Sequence, residues 1–178
     1  MANGIANTGL PRKFLRIGAG STALTDIDAI GIGTWQMVNH GTMYFEEAMF
    51  EKGGSCQVEG VVVREKKGSG ALIKANLLIM FLKYSDIATA CGENFAWTAL
   101  TPYTAKIGEI EIETADYRDE QSAGAVYNAS AHKILTKPIP IKVDEDWQRL
   151  FVVVVNLGSE ITYSSGTELD IELIVNQD

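Results

Sequence analysis

From Trp35 onward, apolar runs of strand length alternate with glycine and polar turn residues. A helical spacing of apolar residues is not sustained over any comparable length. Short apolar runs with such boundaries are typical of β-strands. The runs cover Met43 to Phe50, Val58 to Arg64, Ile73 to Tyr84 and Ile107 to Glu113.

One of these runs carries a clear pattern of burial. Glu109, Glu111 and Glu113 alternate with Ile110 and Ile112, which is the period of a strand with one face in water. We expect that strand on the exterior of the fold.

Near the C-terminus, residues 149–155 end in an unbroken β-branched run, which is typical of a central strand covered on both faces. Residues 168–175 alternate and then become apolar, so they predict a last strand. Pro138 and Pro140 cannot donate to a ladder, so their segment belongs at a sheet edge or in a linker.

The connections carry signals too, and the evidence for a hairpin is strongest between residues 61 and 82. Lys67-Gly68-Ser69-Gly70 between residues 61–65 and 71–82 predicts a β-hairpin, because glycine supplies the positive φ of a tight reversal. The long polar stretch from Tyr117 to Ser130 predicts a protruding loop. A turn or two of helix is expected near Asp86 to Cys91.

Eight or nine short strands without ordinary helices predict an all-β fold, a β-sandwich or jelly roll. The first 34 residues are broken by six glycines and indicate an extended N-terminal arm or irregular lead-in. The sequence therefore predicts an arm over residues 1–34 and one domain over residues 35–178. The segments centred on Val62, Ile79, Ile110, Val153 and Ile171 should all be strands of this domain.

The chain of 178 residues has 23 acidic and 15 basic side chains, a formal charge of −8. Such a charge repels a phosphate backbone, and the basic residues are scattered, so we expect no nucleic-acid partner. The apolar runs are too short to cross a bilayer and no secretory signal is visible, so we expect a soluble protein made in a reducing cytoplasm, with no membrane partner. Cys56 and Cys91 are then expected to be buried thiols.

Candidate chemistry is sparse. Gly18 to Ala23 matches the relaxed dinucleotide fingerprint G-x-G-x-x-A, but glycines and acidic residues interrupt the helix that this motif needs, so a loop is favoured over a cofactor site. His40 and His132 stand without a nucleophile-elbow context. We therefore predict no catalytic residues and no cofactor.

No residues have the spacing of a zinc site, since His40, Cys56, Cys91 and His132 are far apart. The acidic groups at residues 144–146 and 116–120 favour solvated turns, with a calcium site as the alternative. We predict no bound metal.

Association with other proteins is the better-supported role. Trp35, Trp97 and Trp147 favour core packing, and an exposed tryptophan favours an interface anchor. Residues 1–33 carry more apolar side chains than a solvating tail, so this segment is expected to become ordered against a neighbouring subunit or partner. The candidate interface residues are Phe14, Leu15, Ile17 and Trp35.

Residues 57–178 resemble virion structural proteins of tailed bacteriophages. The resemblance lies in the order of segments GSGALIK (68–74), FLKYSD (81–86), IEIETADY (110–117), PIPI (138–141), LFVVVV (150–155) and LDIELIVNQD (169–178). It implies a capsid decoration or auxiliary head protein of the sandwich or jelly-roll type.

From this resemblance we expect a non-enzymatic protein of the virion, assembled in the host cytoplasm. Its partners would be the major capsid protein or other virion proteins, together with copies of itself in a homo-oligomer such as a trimer. The alternative is a tail, fibre or head-to-tail connection component that binds host glycans through exposed aromatic residues. An enzyme with a cofactor at residues 18–23 and a cellular β-domain are the remaining readings.

Overall fold

The structure is a computed structural model, and it describes residues 12–16, 31–38, 43–45, 48–49, 51–67, 71–83, 92–94, 106–121, 127–142, 149–164 and 168–177. These residues form nine strands and one short 3-10 helix at Thr114–Asp116. The strands are β1 (Arg12–Arg16), β2 (Met43–Phe45), β3 (Ser55–Lys67), β4 (Leu77–Leu82), β5 (Lys106–Ile112), β6 (Tyr117–Gln121), β7 (Tyr127–Lys142), β8 (Leu150–Asn156) and β9 (Leu169–Gln177).

The strands form two antiparallel sheets that pack as a sandwich. One sheet has five strands in the order β1-β9-β3-β7-β6, and the other has four in the order β2-β8-β4-β5. The predicted all-β sandwich is confirmed, and all five predicted strand centres lie in strands. Within the described part of the chain, no helix is long and apolar enough to cross a membrane.

The main core lies between the sheets, where alternate residues of facing strands meet. Its members from the strands include Val61, Val63, Ile79, Phe81, Ile110, Ile112, Val152, Val154, Ile171 and Leu173. A second apolar cluster contains Met37, Leu78, Met80, Leu82, Phe151, Val153 and Val155. Strands β4 and β8 are therefore buried on both faces, which explains their unbroken apolar sequences and confirms the central position predicted for β8.

Strand β5 is an edge strand of the four-stranded sheet. Glu109 and Glu111 are exposed and Ile110 and Ile112 are buried, so the predicted wet face is confirmed.

Strand β7 is an edge strand along its second half. Strand β6 pairs only with its residues 127–131, so residues 132–142 have β3 as their one neighbour among the described strands. Pro138 and Pro140 lie on this edge, as predicted. The register also shifts here, because Val58 pairs with Ile139 and Gly60 with Ile134.

The predicted hairpin between residues 61–65 and 71–82 is wrong. Strand β3 pairs with β7 and β9, whereas β4 pairs with β5 and β8 in the other sheet. The chain passes from one sheet to the other at this connection, because β3 and β4 each pair with strands that come later in the sequence. The predicted loop over residues 117–130 is also wrong at both ends, since β6 and the start of β7 pair with each other.

Two parts of the expected N-terminal arm are described, and both contact the sandwich. Strand β1 pairs with β9, with Phe14 opposite Ile174 and Leu15 opposite Leu173. Ile32 is fully buried in the main core and forms a bridge to Ile161. The helical turn expected near residues 86–91 lies outside the described residues.

Candidate interaction surface

Trp35 lies on a tight turn beside the end of strand β8. The turn spans Gly33 to Gln36, and the Gln36 amide donates to the Gly33 carbonyl at 3.2 Å. The Trp35 amide donates to the Asn156 carbonyl at 2.7 Å, and the Asn156 amide donates to the Gln36 carbonyl at 3.0 Å. The turn is thus hydrogen bonded directly to the sheet.

The buried side chain of Asn156 fixes the position of this turn. Its amide nitrogen donates to the Ile32 carbonyl at 2.9 Å and the Ser159 carbonyl at 2.8 Å. Its amide oxygen accepts the Gly158 N–H at 3.0 Å. A buried amide with its hydrogen bonds satisfied holds backbone segments rigidly. One side chain therefore ties residues 32–33 to residues 158–159.

The backbone of Trp35 is strained, and its side chain is exposed. Trp35 has a φ of 62°, in the left-handed region that a bulky side chain rarely adopts. It occupies the third position of the turn, where a positive φ is normally supplied by glycine or asparagine. Half of the residue's surface remains exposed, so burial does little to offset the strain. Retained strain of this kind is found at functional sites.

The other exposed large apolar residue in the described part of the chain is Ile134, at 64%. It lies at the register shift of β7, opposite Gly60. A Cβ on Gly60 would lie 2.6 Å from the Lys133 carbonyl oxygen, so this position requires glycine. Ile134 therefore lies outside the core, with its backbone paired to Gly60 in the ladder between β3 and β7.

The described members of the predicted interface set are attached to different sheets. Phe14 and Leu15 lie in β1 at the edge of the five-stranded sheet, whereas Trp35 is attached to β8 of the four-stranded sheet. Ile17 lies outside the described residues. Among the predicted tryptophans, Trp97 and Trp147 also lie outside them.

A buried carboxylate at the end of β3 is the main polar feature that the sequence analysis missed. Glu65 is 2% exposed and accepts hydrogen bonds from the amides of Lys74 at 2.6 Å and Ala75 at 3.1 Å. The Tyr163 hydroxyl donates to it at 3.0 Å. The sequence did indicate an inward position for Glu65, because it is two residues from Val63 and four from Val61, and alternate residues of a strand share a face.

The Glu65 site fastens the crossing between β3 and β4. Burial and the negative charge of Glu65 raise the pKa of Tyr163 well above its usual value, and they act in the same way on the pKa of Tyr117. The Tyr117 hydroxyl is buried without a hydrogen-bond partner among the described residues. The protein donors of residues 74, 75 and 163 occupy the carboxylate, so Glu65 acts as a structural acceptor here.

The acidic residues considered for an ion site are engaged separately. Asp116 pairs with Lys133 at 3.1 Å and Asp119 with Lys74 at 2.7 Å. Glu120 accepts a hydrogen bond from Ser130. The described residues contain no group of three or more His, Cys, Asp or Glu side chains that could hold a metal ion.

Several of the remaining candidates lie outside the described residues: residues 18–23, 144–146, His40 and Cys91. Cys56 is buried in the main core, as predicted for both cysteines. His132 is exposed on β7.

No protein-family model, curated protein or solved structure matches this chain.

Proposed function

We propose that this protein is a non-enzymatic structural protein that associates through its surface, with Trp35 as an anchor. The observation that carries the proposal is an exposed indole on a strained turn that Asn156 holds rigidly. An anchor whose backbone is already ordered loses less conformational entropy when it binds. Tryptophan is also the side chain most enriched at binding hot spots.

We assign this association to a virion, as a capsid decoration or cementing protein. The support for this setting is the resemblance of residues 57–178 to tailed-phage structural proteins. The mechanism would be buried area and shape complementarity between the sandwich and capsid subunits, or between copies of the chain. The alternative position in a tail or fibre would use the same indole to stack on a host glycan.

The test compares wild type with Trp35→Asn, because asparagine tolerates the left-handed backbone while removing the indole. The matched control is Ile134→Ser, which removes the other exposed apolar side chain. Circular dichroism checks the fold, light scattering measures the mass of self-assembled species, and co-sedimentation measures binding to capsids assembled without this protein.

We expect Trp35→Asn to keep the fold and weaken association by about 100-fold, the effect of a hot-spot residue. Ile134→Ser should change association by less than about 3-fold, as expected outside a hot spot. Association that survives Trp35→Asn unchanged would contradict the proposal. Binding of the wild type to host polysaccharide, without binding to capsids, would place it in the tail or fibre instead.

A further inference from the structure

A polar cavity of about 380 Å³ lies where strands β6 and β7 pair. Tyr117 and Ala131 are paired there and belong to the main core. Successive residues of a strand point to opposite faces, so Arg118, Ser130 and His132 point away from the core. The cavity is therefore on the outer face of the five-stranded sheet. Its lining residues are Ala115, Asp116, Arg118, Ser130 and His132.

Two side chains that can carry a positive charge flank this cavity. Arg118 is directly opposite Ser130 in the ladder, and His132 is the next residue of β7 on the same face. Diagonal neighbours of this kind are about 7–8 Å apart, a separation that one oxyanion can bridge. Arg118 and His132 are both exposed, so a ligand from solvent can reach them.

The acidic side chains beside the cavity already have partners. The Asp116 carboxylate accepts the Glu113 amide at 2.9 Å and pairs with the Lys133 ammonium at 3.1 Å. Glu120 accepts a hydrogen bond from Ser130. Since the charge of Asp116 is balanced by Lys133, it does little to repel an anion that enters the cavity.

Arg118 and His132, in contrast, keep their donors available. Within the described part of the chain, neither side chain makes a hydrogen bond or an ion pair. A guanidinium binds two oxygens of an oxyanion at once through its forked donors. An imidazole N–H donates to a third oxygen. A phosphate group presents three such oxygens, whereas a carboxylate presents two.

We propose that this cavity binds the phosphate group of a small organic molecule. Its volume is within the range of about 300–1,000 Å³ that is typical of small-molecule pockets, so it has room for the organic part of the ligand. The formal charge of −8 on the chain disfavours a polyanion such as nucleic acid. The site does not rest on the proposed function, because Trp35 is attached to the other sheet.

The probe is glycerol phosphate, and binding is followed by NMR through the ring signals of His132. The chain has two histidines, so the signals lost in His132→Gln identify this residue. The pH and the ionic strength are held constant. We expect a saturable shift with glycerol phosphate, and at least about 10-fold more acetate should be needed for the same shift, because a carboxylate lacks the third oxygen.

Protein variants separate a local site from general attraction of an anion. Arg118→Gln should weaken binding at least about 10-fold through loss of charge-assisted hydrogen bonds. Arg118→Lys keeps the charge but lacks the forked donors, so it should also weaken binding.

The matched control is Lys137→Gln, which removes one positive charge from an exposed position on the same strand. At about 3.3 Å per residue Lys137 is more than about 10 Å from His132, beyond the Debye length of about 8 Å at physiological salt. This variant should leave binding unchanged. Circular dichroism checks that all variants keep the fold.

Four results would overturn the proposal. A His132 signal that does not saturate with glycerol phosphate, or equal weakening by Arg118→Gln and Lys137→Gln, would show that no such site exists. Acetate that binds as tightly as glycerol phosphate would contradict the phosphate assignment. Tighter binding of a thymidine oligonucleotide at the same phosphate concentration would contradict a small-molecule ligand. None of these results bears on the association measured with Trp35→Asn, so the two proposals fail separately.

Discussion

Two connections in this protein use the same construction for different ends. In each, a residue other than glycine has a left-handed backbone, Lys74 with a φ of 51° and Trp35 with a φ of 62°. In each, a buried polar side chain holds the connection, Glu65 for the first and Asn156 for the second.

The two connections differ in the contacts that the strained residue makes. At Lys74 the amide is bonded to Glu65, the carbonyl accepts the Thr114 hydroxyl at 2.9 Å, and the ammonium pairs with Asp119. These contacts join the two sheets, so the fold explains the strain. At Trp35 the backbone is hydrogen bonded to β8, but half of the residue's surface is exposed to solvent. Strain at Lys74 thus accompanies contacts that the fold needs, whereas Trp35 combines strain with an exposed side chain.

The largest expected effect on stability comes from Glu65, the buried side chain that holds the first connection. Glu65→Ala leaves two backbone amides and the Tyr163 hydroxyl without their acceptor, so we expect a loss of about 4 kcal/mol in the free energy of unfolding. Chemical denaturation measures it. Glu65→Gln is the control and should lose about half as much, because its one oxygen still accepts a hydrogen bond. A loss below about 1 kcal/mol for Glu65→Ala would mean that the crossing is held in another way.

Removing Asn156, which holds the second connection, should lower the free energy of unfolding by less. Asn156→Ala removes the donor to Ile32 and Ser159 and the acceptor of Gly158, and we expect a loss of about 2–3 kcal/mol. Asn156→Asp keeps the acceptor but replaces the donors with a buried charge that faces two carbonyls, so it should lose at least as much as Asn156→Ala. If both variants denature like wild type, the turn is not held by this side chain.

Alkaline pH tests the Glu65 site through its tyrosines. The pKa of Tyr163 is raised above 10.0 in the folded protein, so the folded state favours the neutral hydroxyl. The resulting stability is complete below pH 10 and is lost as the pH rises above it, by about 1.4 kcal/mol per pH unit for each such tyrosine. Denaturation midpoints between pH 8 and pH 12 measure this slope.

The matched variants are Tyr163→Phe and Tyr117→Phe. Each variant should reduce the loss of unfolding free energy per pH unit above pH 10 by the contribution of one tyrosine. At pH 7 Tyr163→Phe should cost about 1.5 kcal/mol for the bond to Glu65, whereas Tyr117→Phe should be nearly neutral because its hydroxyl has no partner in the described chain. An equal cost at both positions would contradict this reading of the Glu65 site.

The smallest effect is a gain in stability. Trp35→Asn should raise the free energy of unfolding by about 1 kcal/mol, because asparagine accepts the left-handed backbone at lower cost. Trp35→Ala retains a strained φ and should show no such gain. Lys74→Asn should gain nothing, since relief of strain is offset by loss of the pair with Asp119. Thermal midpoints of the three variants measure these differences.

The sequence predicted the strands better than their pairing. Alternation and β-branched runs mark where β5, β8 and β9 lie because these patterns depend on local burial. The prediction of a hairpin between β3 and β4 was wrong because glycine allows the chain to reverse but does not determine which sheet the next strand joins. Strand β3 finds its neighbours β7 and β9 more than 50 residues away.

The candidate surface was predicted in part. Trp35 was identified by residue type as an interface candidate; it is exposed, and its role at an interface stays a prediction. Its strain and the role of Asn156 could not be predicted, because they depend on contacts between residues 31–38 and 156–161. The parity of Glu65 did carry a local signal, since a carboxylate at an inward position of an apolar strand needs buried donors.

The order of strands also decides when this fold can form during synthesis. Strands β8 and β9 come last in the chain, yet β8 lies between β2 and β4, and β9 lies between β1 and β3. Until β8 has left the ribosome, β2 and β4 lack the strand between them, and until β9 has done so, β1 and β3 lack theirs, which leaves apolar faces uncovered. The two sheets can therefore be completed only after residues 150–177 have been synthesised.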